Sequence, residues 1–207
     1  MAKLKILQED QSYTFRSYFE MTFPVDQILA ELGYQFKSDS LILPKSDRSL
    51  SALNSLKQEI QTSLTLTLLS SESARREIII APILLAVSRF CNCPLRIEQP
   101  LQLSQWLKGN LDYLLWLKQS FLVVEAKHED LSRGFTQLAA EMIALTQAED
   151  LEILYGAVTI GDAWRFGKLD QLSKTITQDI SLYTVPGQLE QLLQILVGIL
   201  QGDSPND

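Results

Sequence analysis

Cysteine and histidine are scarce in this chain of 207 residues, which has two cysteines, Cys91 and Cys93, and one histidine, His128. One residue between the cysteines is too few for an ordinary disulfide, so we expect free thiols in a reducing compartment. A Cys-x-Cys zinc site would need further ligands nearby, and His128 lies far along the chain. The scarcity therefore argues against a disulfide scaffold and against a zinc site.

Long apolar runs are absent as well. The longest run covers residues 78–87 and contains Pro82, whereas a helix that crosses a bilayer needs about 20 apolar residues. The N-terminal segment MAKLKILQEDQ reaches charged residues before the apolar region of a secretory signal could form. We therefore expect no membrane span, no secretory signal and a cytoplasmic location.

Basic residues are fewer than acidic ones. The chain has 18 Lys and Arg residues and 25 Asp and Glu residues, which gives a formal net charge of −7. Proteins that coat nucleic acid passively gain affinity by clustering basic side chains against phosphates, so this class is disfavoured. A metal-dependent nuclease is still compatible, since it concentrates carboxylates at its site. The hydrophobic fraction of 46% and the charged fraction of 21% are close to those of globular proteins, which argues against disorder.

Helical and strand patterns predict an α/β (α+β) fold with a mixed sheet. Helices are expected at residues 25–32, within 50–68, from 71 toward 90, at 131–148 and at 189–200. Strands are expected at residues 34–37, 41–43, 95–98, 113–117, 121–124, 153–160, 164–169 and 182–185. Pro82 either kinks the helix after residue 71 or marks its start. We interpret residues 1–70 as an N-terminal α/β appendage with an amphipathic helix, 71–201 as the core and 202–207 as a disordered tail.

The candidate site begins with the apolar run at residues 121–124, which predicts a strand buried on both faces. Glu125 and Lys127 follow this run and are two residues apart, so in a strand they point to the same face. Charged side chains at the end of a buried strand usually serve a purpose. The alternative without a functional role is an exposed salt-bridging face of an antiparallel hairpin.

The turn before this strand decides which residue lies beside Glu125. If the turn consists of Lys118-Gln119, Leu117 pairs with Ser120, and the same register places Asp112 opposite Glu125. A three-residue loop would shift the register by one residue unless a bulge restored it.

Two carboxylates at cross-strand distance repel each other unless a hard cation lies between them. Magnesium prefers one or two carboxylates together with water and phosphate oxygens. Lys127 could orient or help to deprotonate an attacking water and offset charge in the transition state. Asp112, Glu125 and Lys127 therefore predict a phosphodiester-cleaving metal site.

Three segments of the chain resemble motifs of the PD-(D/E)XK phosphodiesterase superfamily, the restriction-endonuclease-like nucleases. They are residues 109–113 (GNLDY), 123–127 (VVEAK) and 134–137 (GFTQ). Glu77 lies where many members place an acidic residue on the preceding helix. The match covers roughly residues 71–170, and the layout is similar to the nuclease domain of type I restriction motor subunits.

The resemblance implies a core with helices on both faces of the sheet. It implies catalytic roles for Asp112, Glu125, Lys127 and Gln137, and Mg2+ or Mn2+ held by Glu77, Asp112 and Glu125. The alternatives without a functional role are an exposed first helical turn for Glu77 and an ordinary exposed helix position for Gln137.

Three functions are compatible with these features of the sequence. The first is a Mg2+-dependent endonuclease that acts on nucleic acid, most simply DNA, alone, as a homodimer or within a larger restriction-like complex. The second is a nuclease-fold regulatory or DNA-binding subunit without cleavage activity of its own. The third is a structural α/β protein in which the E-x-K pattern is incidental. The apolar stripe of residues 189–200 covers the sheet or builds a dimer.

Overall fold

The computed structural model describes residues 5–50, 53–127 and 129–202. The strands are β1 (Gln35–Asp39), β2 (Leu95–Gln102), β3 (Lys108–Leu117), β4 (Ser120–Ala126), β5 (Ile153–Thr159), β6 (Ala163–Asp170), β7 (Thr175–Asp179) and β8 (Tyr183–Thr184). The helices are α1 (Phe15–Glu20), α2 (Val25–Glu31), α3 (Asn54–Leu66), α4 (Glu72–Arg75), α5 (Ala81–Cys91), α6 (Leu131–Ala148) and α7 (Leu189–Gln201), with a π-helical turn, Arg76–Ile80, between α4 and α5. His128 and residues 203–207 of the predicted tail lie outside the described residues.

All eight strands belong to one mixed sheet, as the sequence predicts. The strand order is β1-β7-β6-β5-β4-β3-β2, and β8 pairs with β6. β4 runs parallel to β5, and β1 runs parallel to β7. The other pairs are antiparallel. β4 therefore lies inside the sheet, with β3 on one side and β5 on the other.

Helices cover both faces of the sheet, and this part of the predicted fold class is confirmed. One apolar core joins α3, α5 and α7 to the sheet, and a second joins α1, α2 and α6 to the opposite face. Along β4, Leu122 and Val124 belong to the first core, whereas Val123 belongs to the second. This alternation is why the β4 sequence is continuously apolar.

The apolar stripe of α7 is buried in the first core. Leu192, Leu193, Leu196 and Leu200 are all at most 3% exposed. Of the two predicted roles for this stripe, covering the sheet is confirmed. None of the helices in the described part of the chain is long and apolar enough to span a membrane.

A single helical path from α4 to α5 explains the position of Pro82. Ser71 caps its start, because the Ser71 side chain accepts a hydrogen bond from the backbone N–H of Ala74 at 3.1 Å. The π turn, Arg76–Ile80, follows, and Pro82 then lies in the first turn of α5. Proline has no N–H to donate, and the π turn just before it, in which the Ala81 N–H bonds to the Arg76 carbonyl, already departs from the regular α-helical bonding.

The N-terminal segment and the strand that pairs with it differ from the sequence-based prediction at three elements. The strand predicted at residues 41–43 is wrong, since these residues form no strand, and Leu43 instead packs into the first core. α1 was not predicted, and neither was β7. β1 pairs with β7 and so adds to one edge of the sheet. The division into an appendage and a core at residue 70 stays a prediction.

Candidate functional site

The β3–β4 hairpin has the predicted register. Leu117 pairs with Ser120, and the ladder continues to Tyr113 opposite Val124. The two-residue turn is closed by Lys118, whose φ of +54° lies in the left-handed region. The next position along this register sets Asp112 beside Glu125.

β2 adds a third acidic residue on the other side of β3. The flanking pairs, Ile97 with Tyr113 and Gln99 with Leu111, place Glu98 opposite Asp112. Glu98 has a φ of +53°, which interrupts the strand pairing at this position. Glu98, Asp112 and Glu125 therefore lie in one row across three adjacent strands.

Asp112 is held by one backbone donor and lies near one guanidinium. Its Oδ2 accepts a hydrogen bond from the N–H of Ala126 at 2.9 Å, and its Oδ1 lies 3.6 Å from Nη1 of Arg76. Burial raises the pKa of Asp112, and the Ala126 N–H and the Arg76 charge only partly oppose this increase.

Glu125 and Lys127 form a direct ion pair below α1. Nζ of Lys127 lies 2.5 Å from Oε1 of Glu125 and 4.8 Å from the ring centroid of Phe19 in α1. Burial, followed by the Asp112 charge, raises the pKa of Glu125 to about 8. Burial is the largest influence on Lys127 and acts to lower its pKa, but the contact with Glu125 and the charges of Asp112 and Glu141 together raise the net pKa.

Gln137 lies beside Glu125 and is buried, which contradicts the alternative of an exposed helix position. Its side chain is 5% exposed. Its Nε2 donates to Oε1 of Glu125 at 2.7 Å and to Oε1 of Glu141 at 2.9 Å. Glu141 is one helical turn further along α6 and is fully buried, so it forms part of the same polar cluster.

Glu77 does not lie with Asp112 and Glu125. It is exposed on the π turn and does not line the cleft that contains Asp112 and Glu125. Arg76 occupies that place instead. Its guanidinium bonds to Oε1 of Glu98 at 2.7 Å and to the hydroxyl of Tyr113 at 3.3 Å. The role of Glu77 as a metal ligand stays a prediction without support from its position.

The cleft above the site has a volume of about 550 Å³. Asp112, Glu125, Lys127 and Gln137 all line it, together with Phe19 of α1. Five acidic and three basic side chains contribute to its lining, so the protein groups alone give it an excess of negative charge. A polyanion would approach this cleft more easily after a cation had bound.

The acidic pair fits a hard divalent cation. Oε2 of Glu125 is buried and accepts no hydrogen bond from the described residues. Within the same part of the chain no group of three or more His, Cys, Asp or Glu side chains is arranged to hold a metal ion. Magnesium does not require three such groups, because it retains water and binds through one or two carboxylates. Asp112 and Glu125 could therefore hold Mg2+ or Mn2+.

Sequence reasoning missed Glu98, Arg76, Glu141 and Phe19 as neighbours of the site. Only Glu141 had a clear signal, since it follows Gln137 by four residues within an apolar helix. Comparisons with models of protein families, with characterised proteins and with solved structures found no match. The chemistry of the site must therefore be inferred from the geometry of its residues.

Proposed function

We propose that this protein hydrolyses phosphodiester bonds of nucleic acid, most simply as a DNA endonuclease that depends on Mg2+ or Mn2+. One observation carries the proposal. Asp112, Glu125 and Lys127 meet in one cleft, and one buried oxygen of Glu125 has no donor among the described residues. An incidental E-x-K pattern gives no reason for a fully buried carboxylate next to a second carboxylate.

Each residue has a distinct task in this reaction. Asp112 and Glu125 hold the cation, which when bound lowers the pKa of water and neutralises phosphate charge. Lys127 carries a proton on Nζ within the cleft, where it offsets charge on the phosphate and orients the attacking water. Gln137 fixes one oxygen of Glu125, so that the other oxygen faces away from this hydrogen bond.

The resemblance to PD-(D/E)XK nucleases supports the same proposal. The acidic residues lie on adjacent antiparallel strands, the E-x-K strand runs parallel to β5, and α6 carries the glutamine. The position of Glu77 does not support the resemblance, because Arg76 takes its place at the cleft. We also propose a cytoplasmic location, as expected from the sequence.

A second candidate function is a nuclease-fold regulatory or DNA-binding subunit within a homodimer or a larger restriction-like complex. The contacts of two basic residues favour it. Lys127 is paired with Glu125, and Arg76 is paired with Glu98 and lies near Asp112. In this alternative these pairs persist, and they stabilise the fold without a catalytic cation.

Cleavage assays separate the two functions. Plasmid DNA, single-stranded DNA and RNA are incubated with Mg2+ or Mn2+ and the wild type, Asp112→Asn or Lys127→Ala. Asp26→Asn and Lys57→Ala are matched controls at exposed helix positions away from the cleft. We expect both site variants to lose cleavage and both controls to retain it. Equal cleavage by the wild type and Lys127→Ala would contradict the role of Lys127. An inactive wild type that binds no metal even with DNA present would favour the regulatory subunit.

A further inference from the structure

Three buried oxygen atoms on three neighbouring side chains accept no hydrogen bond from the described residues. They are Oε2 of Glu125, Oε1 of Gln137 and Oε2 of Glu141. Glu125 and Glu141 are 0% exposed, and Gln137 is 5% exposed. Buried acceptors are nearly always paired, so three unpaired ones in one place require an explanation.

The three side chains are in direct contact. Nε2 of Gln137 bridges Oε1 of Glu125 and Oε1 of Glu141, and the two carboxyl groups lie within hydrogen-bonding reach of each other. Gln137 and Glu141 project from the same face of α6, while Glu125 projects toward them from β4. The amide nitrogen is thus used on one side of the cluster, and each side chain retains an oxygen without a donor.

The ligand atoms of the cluster suit a divalent cation. Asp112, Glu125 and Glu141 interact electrostatically with one another, and two basic side chains, Lys127 and Arg76, oppose them. Burial raises the pKa of all three carboxyl groups, which favours their protonated forms until a cation replaces the protons. Carboxylate and amide oxygens are also the ligands that hard cations such as Mg2+ prefer.

We propose that Glu125, Gln137 and Glu141 form a second divalent-cation site, which shares Glu125 with the site at Asp112. The proposal rests on the proposed function in this shared ligand. Glu125 and Gln137 line the cleft and Glu141 does not, so a cation enters through the cleft and Glu141 binds it from the deeper side. Paired cations in phosphodiesterases stabilise the attacking and the leaving oxygen together, and the shared carboxylate suits that arrangement.

Manganese binding to the full chain tests the proposal. The number of bound Mn2+ ions and their affinities are measured by electron paramagnetic resonance of free Mn2+ and by calorimetry, without nucleic acid. We expect two ions for the wild type and one for Glu141→Gln, with at least a tenfold loss of affinity at the second site. Gln137→Met removes a different ligand of the same site and should give the same result. Glu149→Gln, at the exposed end of α6, should still bind two ions.

The stoichiometry also separates this proposal from the function proposed above. Asp112→Asn should lose only the first ion, and Glu125→Gln should weaken both. A result in which the wild type and Glu141→Gln each bind one ion, and Asp112→Asn binds none, would overturn the second site and leave the proposed function intact. Two ions in the wild type and in both Glu141→Gln and Gln137→Met would also overturn it. Loss of one ion in Glu141→Gln with no change in Asp112→Asn would support the second site and contradict the first.

Discussion

Nζ of Lys127 lies 2.5 Å from Oε1 of Glu125, although Ala126 is the only residue between them on the chain. Residues two apart in a strand are separated by about 6.6 Å, so the lysine side chain must lean back along β4 to reach the carboxylate. Phe19 of α1 lies on the ammonium group at 4.8 Å and limits its contact with water. The ion pair therefore lies between the sheet and α1, at the inner end of the cleft.

Loss of the Lys127 ammonium should impair cleavage more than cation binding. In Lys127→Met the apolar stem is preserved, but the ammonium group that orients the attacking water and offsets phosphate charge is lost. We therefore expect kcat to fall by about 10²-fold or more. Mn2+ affinity should not fall, because a positive charge beside Glu125 has been removed. Steady-state cleavage and calorimetry measure the two effects, with Lys57→Met as the control. Parallel losses of kcat and Mn2+ affinity would instead indicate that Lys127 only maintains the shape of the site.

The raised pKa of Glu125 predicts a pH-dependent stability. Burial and the Asp112 charge raise its pKa to about 8 in the folded protein, whereas about 4.3 is usual for an exposed glutamate. The folded state therefore binds this proton more tightly, and the free energy of unfolding contributed by Glu125 declines as the pH rises from about 4.5 to 8. The decline is at most about 1.4 kcal/mol per pH unit.

Urea unfolding in the presence of a chelator measures this decline. Between pH 5 and 9 the wild type should lose stability relative to Glu125→Gln, which cannot ionise at this position. Glu149→Gln keeps the buried carboxylate and should follow the wild type. Parallel curves for the wild type and Glu125→Gln would show that Glu125 does not titrate in this range.

Local rules explain why much of the site could be predicted from the sequence. A two-residue turn at Lys118-Gln119 is enough to fix the β3–β4 register, and the alternation of a strand fixes the shared face of Glu125 and Lys127. The helical spacing of residues 131–148 fixes α6 and hence the position of Gln137. These features depend only on residues close to one another in the chain.

The remaining features depend on irregular backbone or on distant pairing. The π turn adds a residue to one turn of the helix, and no periodic pattern predicts such an insertion. Arg76 faces the cleft one helical turn after Glu72, whereas the adjacent Glu77 does not. The left-handed conformation of Glu98 is similarly unexpected for a glutamate. β7 is short and rich in polar residues, and its edge-strand partner, β1, lies about 140 residues earlier in the chain.

Arg76 should oppose cation binding at Asp112. Its Nη1 lies 3.6 Å from Oδ1 of Asp112, so a cation on this carboxylate would be close to a guanidinium charge. In Arg76→Met we expect Mn2+ to bind about three- to tenfold more tightly at low ionic strength, with a smaller effect at high salt. Calorimetry at two salt concentrations measures the change, and Arg89→Met, at an exposed position of α5, is the control. Weaker binding in Arg76→Met would mean that Arg76 holds Asp112 in place for the cation.

Gly134, in the first turns of α6, allows the helix to approach Lys127 closely. A Cβ atom at this position would lie 2.7 Å from Cγ2 of Val158 and 3.0 Å from Cγ of Lys127. Gly134→Ala should therefore destabilise the protein by about 1–3 kcal/mol, even though alanine has the higher helix propensity. Because α6 or Lys127 must move, cleavage should also decline. Thermal unfolding and the cleavage rate measure the two effects.

The double variant Gly134→Ala/Val158→Ala tests the cause of that destabilisation. Truncation of Val158 removes the nearer contact, so the double variant should be more stable than the sum of the two single effects by at least about 0.5 kcal/mol. The contact with Cγ of Lys127 remains in the double variant, and its cleavage should therefore recover less completely than its stability. Additive losses of stability would show that α6 shifts away from the sheet without contacting Val158.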